Sequence, residues 1–118
     1  MARILITDDS TFMRNLIDDI LIEEGHEVFH AADGQEMLAK FEEIHPDLVL
    51  LDIVMPVMDG MSAIDRLRSS NPDAKIVMCT AQGQKFLRDE AFEKGACAYI
   101  EKPFGADQIL DVIRDALK

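Results

Sequence analysis

The chain has 118 residues, with 12 Lys and Arg against 23 Asp and Glu, for a net charge of −11. That length makes one domain, long enough to bury a core without disulfide or metal staples. The acidic balance argues against a nucleic-acid or anionic-membrane surface, because either needs clustered cations. No N-terminal stretch has the basic start and apolar run of a secretory leader. No apolar run approaches the ~20 residues of a membrane span. A cytoplasmic location fits all of this.

Strand and helix patterns alternate five times along the chain. Residues 3–7 read as a buried strand that runs into Asp8-Asp9. Ser10 then caps a helix with Phe12, Leu16, Ile17, Ile20 and Leu21 on one face, and Gly25 stops it. Residues 27–32 form a weaker strand interrupted by His30, and Gly34 leads into a helix carrying Met37, Leu38 and Phe41. After Pro46 comes the most apolar strand, 48–51, which runs into Asp52. The loop that follows carries Pro56 and Asp59-Gly60 as turn signals, and a third helix shows Met61, Ile64 and Leu67.

Strand four is 75–79, running into Thr80-Ala81. The fourth helix shows Phe86, Leu87, Ala91 and Phe92 and stops at Gly95. Strand five, 97–100, runs through Glu101 into Lys102-Pro103, and a last helix covers about 105–117. Cys79 and Cys97 fall inside strand-like runs and read as buried thiols acting as small hydrophobes. Parallel neighbours would hold them at opposite strand ends, too far apart for a disulfide.

Strands separated by single helices imply βαβ units, hence an α/β fold with a doubly wound parallel sheet and helices on both faces. The three fully apolar strands (one, three and four) belong in the centre and the two mixed ones at the edges. The strand order is then 2-1-3-4-5, and its topological switch lies between strands one and three. Open α/β sheets bind ligands at such a switch, beyond the strand C-termini. Asp8-Asp9 and Asp52 close those two strands.

Asp8 and Asp9 taken alone are acids favoured at a helix start. Asp52 is harder to explain by solvation. It interrupts residues 48–58, where every other position is apolar or Pro, and a carboxylate there is costly unless paired or bound to a cation. Three carboxylates bring −3 into one pocket, which Lys102 and a magnesium ion would neutralise. Magnesium takes oxygen ligands and keeps several waters, so a few carboxylates and a carbonyl suffice. Such an ion also neutralises an incoming phosphate. A carboxylate nucleophile that forms an aspartyl-phosphate is established chemistry. Asp52 is the best candidate, since adjacent Asp8-Asp9 are better placed to hold the metal. Thr80 and Lys102 remain to contact phosphoryl oxygens.

Asp8-Asp9-Ser10, Asp52 with Met55-Pro56 and Asp59-Gly60, Thr80-Ala81, and Lys102-Pro103-Phe104 resemble the receiver domain of two-component response regulators. The resemblance spans the chain, in order and at family spacing. Residues 10–14 and 80–84 further resemble the stand-alone, chemotaxis CheY-like subgroup. It implies a flavodoxin-like (CheY-like) (βα)5 fold; flavodoxin and CheY are the known examples of the 2-1-3-4-5 order. One receiver domain would occupy residues 1–118, with no output domain after Lys118.

By the same resemblance, Asp52 receives a phosphoryl group from a histidine kinase. Asp8, Asp9, Asp52 and the Val54 carbonyl surround Mg2+, for which Mn2+ can substitute. Lys102, Thr80 and the Ala81 amide bind phosphoryl oxygens. Thr80 and Tyr99 form the switch, Val54 and Gln82 tune hydrolysis, and the Lys102–Pro103 peptide is cis. The only catalysis implied is transfer onto, and hydrolysis from, Asp52. Output passes through the face of helix four, strand five and helix five to a motor-switch or adaptor protein, with Lys85, Arg88 and Phe104 as further contacts. A phosphatase is a further partner, and a stand-alone phosphorelay or cell-cycle receiver is the alternative role.

Two other chemistries use a domain of this size. An aspartyl-phosphate hydrolase of the haloacid-dehalogenase type needs Asp-x-Asp after the first strand, where this chain has adjacent aspartates. A flavin binder needs a hydroxyl- and glycine-rich phosphate loop there, with flanking aromatics that a chain of one Tyr and no Trp lacks. A degenerate receiver is disfavoured because every key residue is present.

Overall fold

The computed structural model describes residues 1–118. Its elements are β1 (Arg3–Thr7), α1 (Thr11–Glu23), β2 (Glu27–Ala31), α2 (Gly34–Ile44), β3 (Leu48–Leu51), α3 (Gly60–Ser70), β4 (Ile76–Thr80), α4 (Lys85–Glu93), β5 (Ala98–Glu101) and α5 (Ala106–Ala116). All five strands pair in parallel in the order β2-β1-β3-β4-β5. β3 and β4 are buried at every position, whereas the edge strands β2 and β5 are only partly covered. That is the burial expected where unbroken apolar runs sit in the middle of a parallel sheet.

Alternating side chains along each strand feed two apolar layers. Ile4, Ile6, Leu50 and Val77 pack with Ile17 and Leu21 of α1 and Ile109 and Ile113 of α5. On the other face Leu5, Val49, Leu51 and Met78 meet Met37 and Phe41 of α2, Ile64 and Leu67 of α3, and Ala91 of α4. Burying each large aliphatic side chain contributes about 1.5–3 kcal/mol, so these two layers fix the sheet on which the loops stand.

The helices start at the edge of the sheet where the strands end. Ser10, Asp33 and Asp59 each accept a backbone N–H from the first turn of α1, α2 and α3. α4 and α5 begin without a side-chain cap. α1 ends before Gly25 at φ 92°, and α2 ends at His45 in the left-handed region before Pro46.

Several expectations need correction. β4 and β5 each begin one residue later than read, so Thr80 is the last residue of β4 and pairs with Glu101. Cys79 is buried but Cys97 is exposed, because it precedes the edge strand; both thiols are free. Burial pushes the Cys79 thiol up to about 12. Phe12 and Leu16 of α1, and Phe86 and Phe92 of α4, are exposed rather than packed on the sheet. Their helices touch the core through a narrower stripe, centred on Ile17 and Leu21 in α1 and on Ala91 in α4. No helix is long and apolar enough to cross a membrane.

Candidate functional site

Asp8, Asp52 and Lys102 each follow the last residue of a strand, and Thr80 is itself the last residue of β4. The parallel ladder therefore brings two carboxylates, an ammonium and a hydroxyl to one edge. Asp8 N–H donates to the Ala31 carbonyl at 3.1 Å, and Asp52 N–H to the Thr7 carbonyl at 3.0 Å. Those bonds extend the ladder one step past the strands and fix both aspartates.

The carboxylates are bound on both oxygens. Asp8 Oδ1 accepts from the Ser10 amide at 2.9 Å, and Asp52 Oδ1 from the Ile53 amide at 2.7 Å. Lys102 Nζ bridges the other two oxygens, 2.6 Å from Asp8 Oδ2 and 3.1 Å from Asp52 Oδ2. Asp8 and Asp52 are buried, and Asp9 stands exposed beside them. Burial alone would lower the Lys102 pKa. The hydrogen bond to Asp8 and the charge of Asp52 outweigh it and hold the ammonium above the ordinary lysine value.

Carboxylate oxygens of Asp8, Asp9 and Asp52 lie within 4.8 Å of one another. Three carboxylates and one ammonium leave a formal charge of −2 on an all-oxygen donor set. That matches a hard divalent cation in both charge and ligand chemistry. None of the surface cavities is lined by Asp8, Asp9 or Asp52.

Val54 and Ala81 are exposed loop residues on either side. Neither the Val54 carbonyl nor the Ala81 amide is engaged by another group of the chain. Thr80 is fully buried, and its Oγ1 accepts from the Gln82 amide at 3.2 Å. The half-buried Tyr99 hydroxyl donates to the Gln82 carbonyl. Burial pushes the Tyr99 phenol above its usual range, while the Arg88 guanidinium, 5.2 Å from the ring centroid, pulls the other way. The Lys102–Pro103 peptide is cis.

Residues 4–114 match the sequence pattern of the response regulator receiver domain. The chain belongs to this family. Receiver domains are phosphorylation-activated switches of two-component signalling rather than enzymes of metabolism, and they take phosphate from histidine kinases. This one is CheY-like: the chemotaxis protein CheY of Bacillus subtilis is 44% identical, over 98% of this chain and 97% of that protein. The sporulation initiation phosphotransferase F of the same organism is 35% identical, over 98% of this chain and 93% of that one. A crystal structure of the CheX–CheY–BeF3–Mg2+ complex from Borrelia burgdorferi contains a chain that superimposes with a TM-score of 0.95 at 31% identity. That match covers 98% of this receiver and 89% of that chain.

Two contacts were missed in the sequence. Arg14 Nη1 donates to the Asp8 carbonyl at 2.6 Å. Its position one turn after the Ser10 cap was the only available signal, since that places it over the end of β1. Gly60, read as a turn residue and as one of the residues that carry the family resemblance, packs its Cα against the Asp52 carbonyl: a Cβ there would stand 2.1 Å from that oxygen.

Proposed function

We propose that this receiver accepts a phosphoryl group on Asp52 and passes the signal to a separate protein through the α4–β5–α5 face. The observation that carries the proposal is the Lys102 ammonium bridging buried Asp8 and Asp52, with Asp9 beside them. An Asp52 carboxylate oxygen attacks the phosphorus of a kinase phosphohistidine. The O–P bond forms as the N–P bond breaks, and the departing imidazole keeps the electron pair. Later, water attacks the same phosphorus and releases inorganic phosphate and free carboxylate.

Asp8, Asp9, Asp52 and the Val54 carbonyl would hold Mg2+, or Mn2+ in its place. Bound there, the ion neutralises charge on the phosphoryl oxygens. Lys102, the Thr80 hydroxyl and the free Ala81 amide bind those oxygens. For Thr80 this means leaving the Gln82 amide, and Tyr99 shares that loop residue, so the two side chains switch together. Val54 and Gln82 tune the hydrolysis step. The modification needs to favour the active conformer by only a few kcal/mol to invert a biased equilibrium.

The 44% identity to the chemotaxis protein CheY, over 97% of that protein's length, supports a role of the same kind. We assign a cytoplasmic role in chemotaxis, with a chemotaxis histidine kinase as donor, a motor-switch or adaptor protein as output and a phosphatase to reset it. The 35% identity to a sporulation phosphotransferase favours a second reading, a stand-alone phosphorelay receiver. Phosphotransfer from a chemotaxis kinase and from a phosphorelay histidine phosphotransferase, run side by side, separates the two. Binding of a motor-switch protein is then measured with and without beryllofluoride. Faster transfer from the chemotaxis kinase and tighter activated-state binding are expected. Equal affinity in both states would remove the switch for that partner.

A further inference from the structure

Asp8 and Asp9 are neighbours in sequence but are held very differently. Every polar group of Asp8 has a partner: its amide on Ala31, its carboxylate on the Ser10 amide and Lys102, and its carbonyl on Arg14. The Asp9 carboxylate is exposed and makes no hydrogen bond or ion pair. Nothing on its own side chain aims it at the other two acids. What orients it is the backbone, and a peptide group is planar, so fixing the Asp8 carbonyl fixes the plane that also carries the Asp9 amide.

Arg14 does that fixing. Nη1 donates to the Asp8 carbonyl at 2.6 Å and Nη2 to Thr11 Oγ1 at 3.2 Å, so the guanidinium fork clamps the β1–α1 loop onto the first turn of the helix. The side chain is half-buried, its Nε is buried without a partner, and it has no carboxylate to pair with. A desolvated guanidinium usually recovers its cost in a bidentate ion pair. Here it is spent on a main-chain carbonyl between two prospective metal ligands.

We infer that Arg14 is a positioning residue for the cation site, holding the Asp8–Asp9 peptide plane so that Asp9 converges with Asp8 and Asp52. This rests on the cation-binding reading given above. Two rival roles predict different outcomes. As a mere charge near the site, Arg14 would repel the cation, and its neutralisation would tighten binding. As a mere loop staple, its loss would lower the melting temperature and leave affinity unchanged.

The test is a calorimetric Mg2+ titration of the wild-type chain, Arg14→Met and Arg14→Lys, with melting temperatures recorded alongside. Loss of a group that orients a metal ligand weakens affinity by roughly 10- to 100-fold. The expected result is an increase in Kd of at least about tenfold in Arg14→Met, and a smaller increase in Arg14→Lys. Excess Mg2+ should return the acetyl-phosphate labelling rate of both to near the wild-type level. If Arg14→Met does not fold, Arg14→Lys decides, since it keeps the charge and loses only the fork. An unchanged or lower Kd in the folded variants overturns the role of Arg14 while leaving the site intact. No Mg2+ binding by the wild-type chain overturns the cation-site reading, and the Arg14 proposal with it.

Discussion

The Tyr99 hydroxyl donates to the backbone carbonyl of Gln82. The amide of that same residue donates to Thr80 Oγ1 at 3.2 Å, so one loop residue is held from both sides by the two candidate switch side chains. Moving Thr80 toward a phosphoryl group frees the Gln82 amide and loosens the support of Tyr99. Tyr99 is the only tyrosine and there is no tryptophan, so intrinsic emission reports this residue alone. Beryllofluoride with Mg2+ should change that emission in the wild-type chain and have little effect in Thr80→Ala. A full response in Thr80→Ala would show that the two side chains are not coupled through the loop.

Lys102 occupies the Asp8 and Asp52 oxygens that a cation would have to share. Removing one unit charge a few ångströms away is worth on the order of 1–2 kcal/mol at high effective dielectric. Lys102→Met should therefore bind Mg2+ about tenfold more tightly while accepting phosphoryl groups more slowly. The pairing also has a pH signature. Because the folded pKa is raised above 10.5, the stability it contributes is complete below that value and is lost as pH rises through the higher folded pKa. Between those limits the wild type should lose more stability than Lys102→Met in denaturant titrations. Parallel pH slopes would mean that the ammonium gains nothing from its partners.

Gly60 ties the start of α3 to the residue at the centre of the site. A Cβ at this position would meet the Asp52 carbonyl oxygen at 2.1 Å and Ile53 Cα at 2.9 Å, both main-chain atoms with no rotamer to yield. Overpacking of this kind costs about 1–3 kcal/mol. Gly60→Ala should lose unfolding free energy by that amount and, at temperatures where it remains folded, label more slowly with acetyl phosphate because Asp52 is displaced. Wild-type stability with wild-type labelling would contradict the contact.

Val54 is 59% exposed beside the acids, and its side chain has no group that can orient water. An amide there could hold the attacking water by a hydrogen bond, a smaller effect than the 10²–10⁴ of a positioned acid or base. Val54→Asn should shorten the phosphoryl lifetime by roughly tenfold, read from phosphate release after a single loading. An unchanged lifetime would place control of hydrolysis elsewhere.

Much of this arrangement is legible in the sequence because a parallel sheet converts chain order into position. Leu48–Leu51 is apolar at every residue and ends in Asp52, and that alone marks both a central strand and a carboxylate that must be paired. The exposed Phe12, Leu16, Phe86 and Phe92 were misread for a physical reason. Helical periodicity shows which residues share a face but not how much of that face the sheet covers. Cys97 looked buried because apolar neighbours do not show that its strand is an edge. Arg14 and Gly60 act on main-chain atoms of Asp8 and Asp52, and any residue presents the same carbonyl, so beyond the place of Arg14 one turn after the Ser10 cap the sequence pattern carries little mark of such contacts.

The central claim is that Asp52 is a phosphoacceptor served by a cation. Its most direct test is the intact mass of the chain after incubation with acetyl phosphate, with and without Mg2+, beside Asp52→Asn. The expected result is a gain of one phosphoryl group that requires Mg2+ and is absent from Asp52→Asn. No gain by a folded, Mg2+-binding wild-type chain, or an equal gain by Asp52→Asn, would contradict it.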